Sequence, residues 1–296
     1  MKIIVTGSLG NISKPLAQKL IEEGHSVTVI AHSAERQQEI EALGAKAAIG
    51  NLENHDFLAA AFNGADAIYC MVPPNFEEQN SVAYYARIGQ SYKKAIKQSG
   101  VGRIVFLSSW GAHLDSGTGT ILGSYHVEQI LNTLEHVSIT YLRPCSIYYN
   151  LFHYIPMIKN VGIIGTNFKG TDKIVWVAPT DIADAAAEEL TKHTYDDITI
   201  RYIASDEVTA AETAKVLGSA IGKPDLEWIA FSDEEVKDSF IKMNLPEDFA
   251  QDLVDLNASI SSGRMGAHYE QNKPVLGKVK IGDFAKEFVA YYNQGN

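Results

Sequence analysis

The chain has 296 residues, 46% of them hydrophobic, with 25 basic and 36 acidic side chains and a formal charge of −11. This length buries a large core in one big domain or in one domain plus a lobe. The acidic balance, with no basic patch beyond Lys93, Lys94 and Lys97, argues against direct nucleic-acid binding, and no apolar run is long enough to cross a bilayer.

The first residues, Met1-Lys2-Ile3-Ile4-Val5-Thr6-Gly7, lead straight into a strand, so no signal peptide is expected and the chain reads as cytoplasmic. The two cysteines, Cys70 and Cys145, follow apolar runs and suit reduced, buried thiols. Short apolar runs at residues 3–5, 26–31, 46–49, 67–71, 103–107 and 138–142 predict strands covered on both faces. Helical patterns at 14–23, 34–43, 57–62, 82–98 and 123–134 lie between them. This alternation predicts an α/β fold with a doubly wound, Rossmann-like parallel sheet.

The rhythm breaks after Pro144. Residues 148–159 are aromatic and amphipathic, 174–177 form a short strand, 179–192 a helix opening on Thr180 and Asp181, and 198–203 a further strand. Helices are expected over 210–221, 233–243, 246–259 and 283–292, a strand over 226–230 and a loop over 261–266. The domains expected are a dinucleotide-binding domain over 1–150, its sheet completed within 174–205, and a smaller, mainly helical C-terminal lobe from 151–173 and 206–296.

The loop Thr6-Gly7-Ser8-Leu9-Gly10-Asn11-Ile12-Ser13 joins the first strand to the first helix. In that position glycines let the chain turn tightly and let backbone N–H groups approach a pyrophosphate at the helix N-terminus. Thr6, Gly7, Leu9, Gly10, Asn11 and Ile12 are the expected contacts; an ordinary strand–helix turn is the alternative. The spacing is that of the short-chain dehydrogenase variant Thr-Gly-x-x-Gly-x-x-Gly, with Ser13 in place of the third glycine. An NAD binder usually carries an acid at the end of the second strand, to hold the ribose hydroxyl. Here the tip carries His32, Ser33 and Arg36, with Glu35 as the opposing sign, which favours NADP(H) over NAD(H). Asn51 and Leu52 are placed to border the adenine, and Met71, Val72 and Pro73 the middle of the cofactor. Ser108, Arg143 and Pro144, at later strand ends, complete the expected cofactor contacts; Arg143 reads equally as half of a structural ion pair.

Short-chain reductases move a proton with a Tyr-x-x-x-Lys pair on the helix after the fifth strand. The only tyrosine with a lysine four residues on is Tyr269, and Pro274 after Lys273 disfavours helix there. On the correct helix Tyr125 is followed by Gln129, which supplies no cation. This counts against epimerase and alcohol dehydrogenase chemistry.

Several segments together resemble the NmrA-like group of atypical short-chain dehydrogenases, above all its bacterial NAD(P)H-dependent quinone reductases. They are Thr6-Gly7-Ser8-Leu9-Gly10, Val72-Pro73-Pro74, Val105-Phe106-Leu107-Ser108-Ser109, Val127-Glu128 with Ile130-Leu131, and Ile139-Thr140-Tyr141-Leu142-Arg143-Pro144 with Asn150. Thr180-Asp181-Ile182-Ala183, Phe231-Ser232 and Leu245-Pro246 extend the likeness over nearly the whole chain. The resemblance implies an oxidoreductase, or, as in other members, a non-catalytic NADP(H)-sensing regulator acting through a protein partner. Ser124 stands where the family frequently has Lys or His.

Ligands of open α/β sheets bind outside the carboxyl ends of the strands. Trp110, Tyr148, Tyr149 and Phe152 gather there in the sequence and are the expected substrate contacts for a flat, quinone-like acceptor; the alternative is that Tyr148, Phe152 and Tyr154 pack a helix face. Tyr148 and His113 are the candidate catalytic residues; a surface-loop histidine is the alternative for His113. Cys145 reads as a buried hydrophobe or a redox-sensitive thiol. No Cys/His spacing suits a metal. The partners expected are a small aromatic acceptor, and a second copy of the chain in a homodimer or a regulatory protein partner.

Overall fold

The computed structural model describes residues 1–75, 78–194 and 196–294. The first half is β1 (Lys2–Val5), α1 (Ser13–Glu22), β2 (Ser26–Ala31), a 3-10 turn (Ala34–Arg36), α2 (Gln37–Ala42), β3 (Lys46–Ile49), α3 (His55–Phe62), β4 (Ala67–Cys70), α4 (Ser81–Ser99), β5 (Arg103–Leu107), α5 (Leu122–Leu131) and β6 (Ser138–Pro144). Local chemistry sets the helix ends. The Asn54 carboxamide oxygen accepts from the N–H groups of Asp56 and Phe57, and that of Asn80 accepts from Ala83 N–H, capping α3 and α4. Gly100, with φ of 71°, closes α4 in the left-handed conformation. Tyr84, Ile88, Tyr92, Ala95 and Ile96 form the buried stripe of α4, at helical spacing.

The strands form a seven-stranded sheet in the order β10-β6-β5-β4-β1-β2-β3, where β10 is Ile198–Ile203. The six strands of the first half pair in parallel. β10 follows the same direction: Ile139 N–H donates to the Asp197 carbonyl and Cys145 N–H to that of Ile203, at 2.8 and 3.0 Å. β4 is buried along its whole length, as expected of a strand covered on both faces. One face packs Ile4, Ile68, Cys70, Ile104 and Phe106 against Phe62, Ile88 and Tyr92. Each such side chain contributes about 1.5–3 kcal/mol on burial.

Two compact units divide the chain. The first comprises Met1–Ala112, Gly123–Arg143 and Ile182–Arg201; the second comprises His113–Leu122, Pro144–Asp181 and Tyr202–Asn296. Within the second, β7 (Ser146–Ile147), β9 (Lys173–Val177) and β11 (Asp206–Thr209) make a three-stranded sheet, and β8 (Ile164–Thr166) pairs with β12 (Trp228–Ala230). The strand expected at 174–177 therefore lies in this separate sheet and not in the seven-stranded one. The aromatic, amphipathic stretch over 148–159 runs as 3-10 turns over Tyr148–Tyr154 and becomes α6 at Ile155–Val161. Pro156 sits in the first turn of α6, where its missing N–H is harmless.

Helix α7 (Pro179–Thr191) precedes β10. The remaining helices are α8 (Ala210–Ala220), α9 (Asp233–Lys242), α10 (Glu247–Ser261), α11 (Gly266–Gln271) and α12 (Ile281–Asn293). Capping boxes at Thr209/Glu212 and Ser232/Glu235 start α8 and α9. Asp181 is buried and structural: its carboxylate accepts from Ser205 Oγ at 2.6 Å and from the N–H groups of Lys278 and Val279. Among the described residues no helix is long and apolar enough to cross a membrane, and no cluster of His, Cys, Asp and Glu could hold a metal.

Candidate dinucleotide site

The strand order reverses at β1, which lies between β2 and β4, and the crevice beyond such a switch point is the usual ligand position. The ends of β1 and β4 are tied together there. Thr6 N–H donates to the Tyr69 carbonyl at 3.1 Å, and Met71 N–H to Thr6 Oγ1 at 3.0 Å. The Tyr92 hydroxyl donates to the Met71 carbonyl at 2.7 Å and lies 3.3 Å from Thr6 Oγ1. Tyr92 was not among the expected site residues; in the sequence it is one more apolar position of α4.

The loop after β1 is built tightly. Gly7 has φ of +92°, and a Cβ on it would lie 2.5 Å from Ser13 Oγ and 3.0 Å from Met71 Sδ. A Cβ on Gly10 would lie 3.1 Å from the Gly7 carbonyl oxygen. Ser8 holds φ of +54°, a strained region for a residue with a side chain, and its N–H donates to the Ile30 carbonyl at 3.0 Å. Its hydroxyl is buried with no partner among the described residues. Gly10 and Asn11 are exposed, and Leu9 and Ile12 half-buried. Helix α1 begins at Ile12 with no side-chain cap and no acid in its first turn. An unsatisfied hydroxyl, a backbone bared by glycines and an uncapped helix start are what a pyrophosphate requires, so these residues fit a dinucleotide.

The other expected contacts lie as follows. His32 is exposed just beyond β2, and Ser33 Oγ accepts from Glu35 N–H, starting the 3-10 turn. Arg36 is exposed and donates to Glu39 Oε2 at 2.9 Å. Asn51 Oδ1 accepts from Glu53 N–H in an Asx turn, and Leu52 packs on the core beneath. Val72 is buried, and Met71 and Pro73 half-buried.

Ser108, Arg143 and Pro144 are all buried. Arg143 donates to both carboxylate oxygens of Glu128, at 3.0 and 2.6 Å, and Ser108 Oγ donates to Glu128 Oε1 at 2.5 Å. With Arg143 and Glu128 each 3% exposed, the arginine takes the structural alternative, bracing β6 against α5, in place of a guanidinium offered to a ligand.

The expected stacking residues lie as follows. Trp110 is buried, and Tyr148 is 0% exposed, stacked on Phe284 at 4.9 Å and Trp176 at 6.0 Å. Tyr149 donates its hydroxyl to Glu287 Oε1 at 2.7 Å, and Phe152 stacks on Tyr291 at 4.2 Å. The rings of Tyr148, Tyr149 and Phe152 pack against α12, the helix-face alternative, because α12 supplies the aromatic partners from the far end of the chain. Burial pushes the Tyr148 hydroxyl well above its ordinary range, and among the described residues it donates to the Val279 carbonyl, at 3.4 Å.

His113 stacks on His268 at 5.0 Å, and His268 Nδ1 lies 2.8 Å from the Tyr202 hydroxyl. Cys70 and Cys145 are buried and burial pushes both thiols up, as inert core cysteines require. Tyr269 and Lys273 converge on Glu207, each through its own hydrogen bond, at 2.7 and 3.1 Å, so this pair also serves structure.

The NmrA-like family model matches residues 1–267. The chain belongs to this family. The NAD(P)H azoreductase of Xenophilus azovorans is 25% identical over 294 residues, covering 98% of this chain and 99% of its own. The structure of Citrobacter sp. triphenylmethane reductase superposes with a TM-score of 0.82 at 20% identity, covering 98% of this chain and 100% of that one. An NADPH-dependent quinone oxidoreductase of Escherichia coli superposes with a TM-score of 0.79 at 18% identity, over 97% and 99%. At these identities the two structures speak for the fold.

Proposed function

We propose that this NmrA-like protein is an NAD(P)H-dependent oxidoreductase that holds NADP(H) on the loop after β1 and reduces a small aromatic acceptor of the quinone or azo type. The observation that carries the reading is the loop itself, with its buried, unpartnered Ser8 hydroxyl, its bared Gly7 and Gly10 backbone and the uncapped start of α1. The relative named as an NAD(P)H azoreductase, alike over almost all of both chains, supports the reaction class.

The bound dinucleotide supplies the hydride. The chain's own groups do the holding. Backbone N–H groups at the start of α1 face the pyrophosphate, where the helix dipole favours negative charge. His32 and Arg36 face the adenosine ribose and favour a 2′-phosphate there, and Asn51 and Leu52 border the base. The lack of a usable Tyr-x-x-x-Lys pair suits an acceptor whose reduced form takes its proton from water.

The test is a fluorescence titration of the protein with NADPH and NADH, followed by NADPH oxidation against a panel of quinones and azo dyes. Saturable binding with turnover of at least one acceptor is expected. Saturable binding with no turnover across the panel would instead favour a regulator that senses NADP(H) and acts through a protein partner or a second copy of the chain.

A further inference from the structure

Two cations from different elements meet on one carboxylate beside the candidate cofactor loop. Lys14 is the second residue of α1, directly after the loop, and its Nζ lies 3.3 Å from Glu39 Oε1. Arg36 lies in the 3-10 turn beyond β2, and its guanidinium lies 2.9 Å from Glu39 Oε2. Each oxygen of Glu39 thus takes one cation, and the carboxyl is held below its ordinary range, first by Arg36 and then by Lys14.

Lys14, Arg36 and Glu39 are all partly exposed, with side-chain exposures of 42%, 56% and 44%. An exposed pair of this kind contributes little to folding. It does fix where two long, flexible cations point. A carboxylate bridging Lys14 and Arg36 is an anion on the site where the second-strand tip meets the loop, and a phosphate monoester is a larger anion with more acceptor oxygens.

We propose that Glu39 is a built-in substitute for the 2′-phosphate of NADP(H): it gathers Lys14 and Arg36 in the free protein and yields both to the phosphate. The inference rests on the cofactor reading above and adds a residue that opposes the phosphate and a lysine that receives it. Glu39 thereby sets the selectivity between the two dinucleotides. NADP(H) has to displace Glu39, whereas NAD(H), lacking the phosphate, leaves the ion pairs in place. Neither Lys14 nor Glu39 stands at the strand tip where the sequence signal for cofactor choice is sought.

The test is the ratio of the NADH to the NADPH dissociation constant, by cofactor fluorescence, in wild type, Glu39→Gln and Lys14→Gln. Removing the competing charge in Glu39→Gln is expected to raise the ratio about threefold to tenfold, the effect of one exposed ion pair. Lys14→Gln is expected to lower it by a similar factor. An unchanged ratio in Glu39→Gln overturns the proposal. A lower ratio there overturns it too, because Glu39 would then be helping NADPH to bind, and so does a higher ratio that comes from a larger NADH constant in place of a smaller NADPH constant, because it would show Glu39 reading the ribose hydroxyl. If wild type binds neither dinucleotide, the cofactor reading itself falls, and the proposal with it.

Discussion

Ser13 Oγ donates to the Thr6 carbonyl at 2.8 Å and fills the space that a Cβ on Gly7 would need, 2.5 Å away. The residue that replaces the family's third glycine therefore locks the first one in place. Gly7→Ala strains a backbone at φ of +92° and collides with that hydroxyl. A loss of about 1–3 kcal/mol in stability and of dinucleotide binding is expected. Thermal melting and NADPH titration check both; a variant binding as well as wild type would contradict the placement of the pyrophosphate.

Glu128 and Arg143 form a buried ion pair that also receives the Ser108 hydroxyl. Glu128→Gln leaves the guanidinium without its counter-charge in a low-dielectric setting. A loss of about 3–5 kcal/mol is expected. The double variant Glu128→Leu with Arg143→Met removes both charges and should lose less than Glu128→Gln alone. Urea denaturation of the three proteins reads this order directly.

Tyr148 is a core residue with one long hydrogen bond. Tyr148→Phe should change stability by less than about 1 kcal/mol and leave kcat for any acceptor within about twofold. Tyr148→Ala opens a cavity among Trp176 and Phe284 and should lose about 3–5 kcal/mol. A large fall in kcat with Tyr148→Phe would restore it as a catalytic candidate.

Glu207 is placed to report on acid. Burial acts to raise its carboxyl, but hydrogen bonds from Lys173, Tyr269 and Lys273 outweigh that and hold it at about 2. A depressed carboxyl stabilises the fold above its unfolded value of 4.5 and ceases to as the pH falls toward 2. Glu207→Gln should cost on the order of 1–2 kcal/mol at pH 6, after allowance for solvent screening, and the gap to wild type should narrow as the pH falls through that window. Urea midpoints at pH 6 and pH 3 test it; a constant gap would refute the assignment.

The sequence was most legible where one period ran without interruption. β2, β3, β5 and β10 coincide with the expected runs, because each run of apolar or β-branched residues is bounded by turn residues whether the strand is buried, as β5 is, or at the half-exposed sheet edge, as β3 and β10 are. The glycine loop was legible because only a few backbone shapes connect such a strand to a helix. The short strands β7, β8 and β11 were not, since two to four residues carry no period. Nor was the fate of the aromatic run at Tyr148–Tyr154, whose partners Phe284, Phe288 and Tyr291 arrive from α12, more than a hundred residues later. Arg143 and Glu128 stand 15 residues apart on different elements, and only the register of β6 beside β5 makes them one group. Lys14 stands one residue beyond the motif in the expected helix, and its ion pair with Glu39 joins two elements that no local signal connects.

The two units are interleaved along the chain, and the seventh strand of the large sheet ends only at Ile203. During synthesis, the sheet edge at β6 must wait for more than fifty further residues to leave the ribosome before its neighbour exists. Neither unit corresponds to a single stretch of gene, so no one cut separates them. A recombination joining one of these units to a different version of the other would need several coordinated crossovers. Variation in either unit is therefore expected to arise by point substitution and not by exchange of a whole domain.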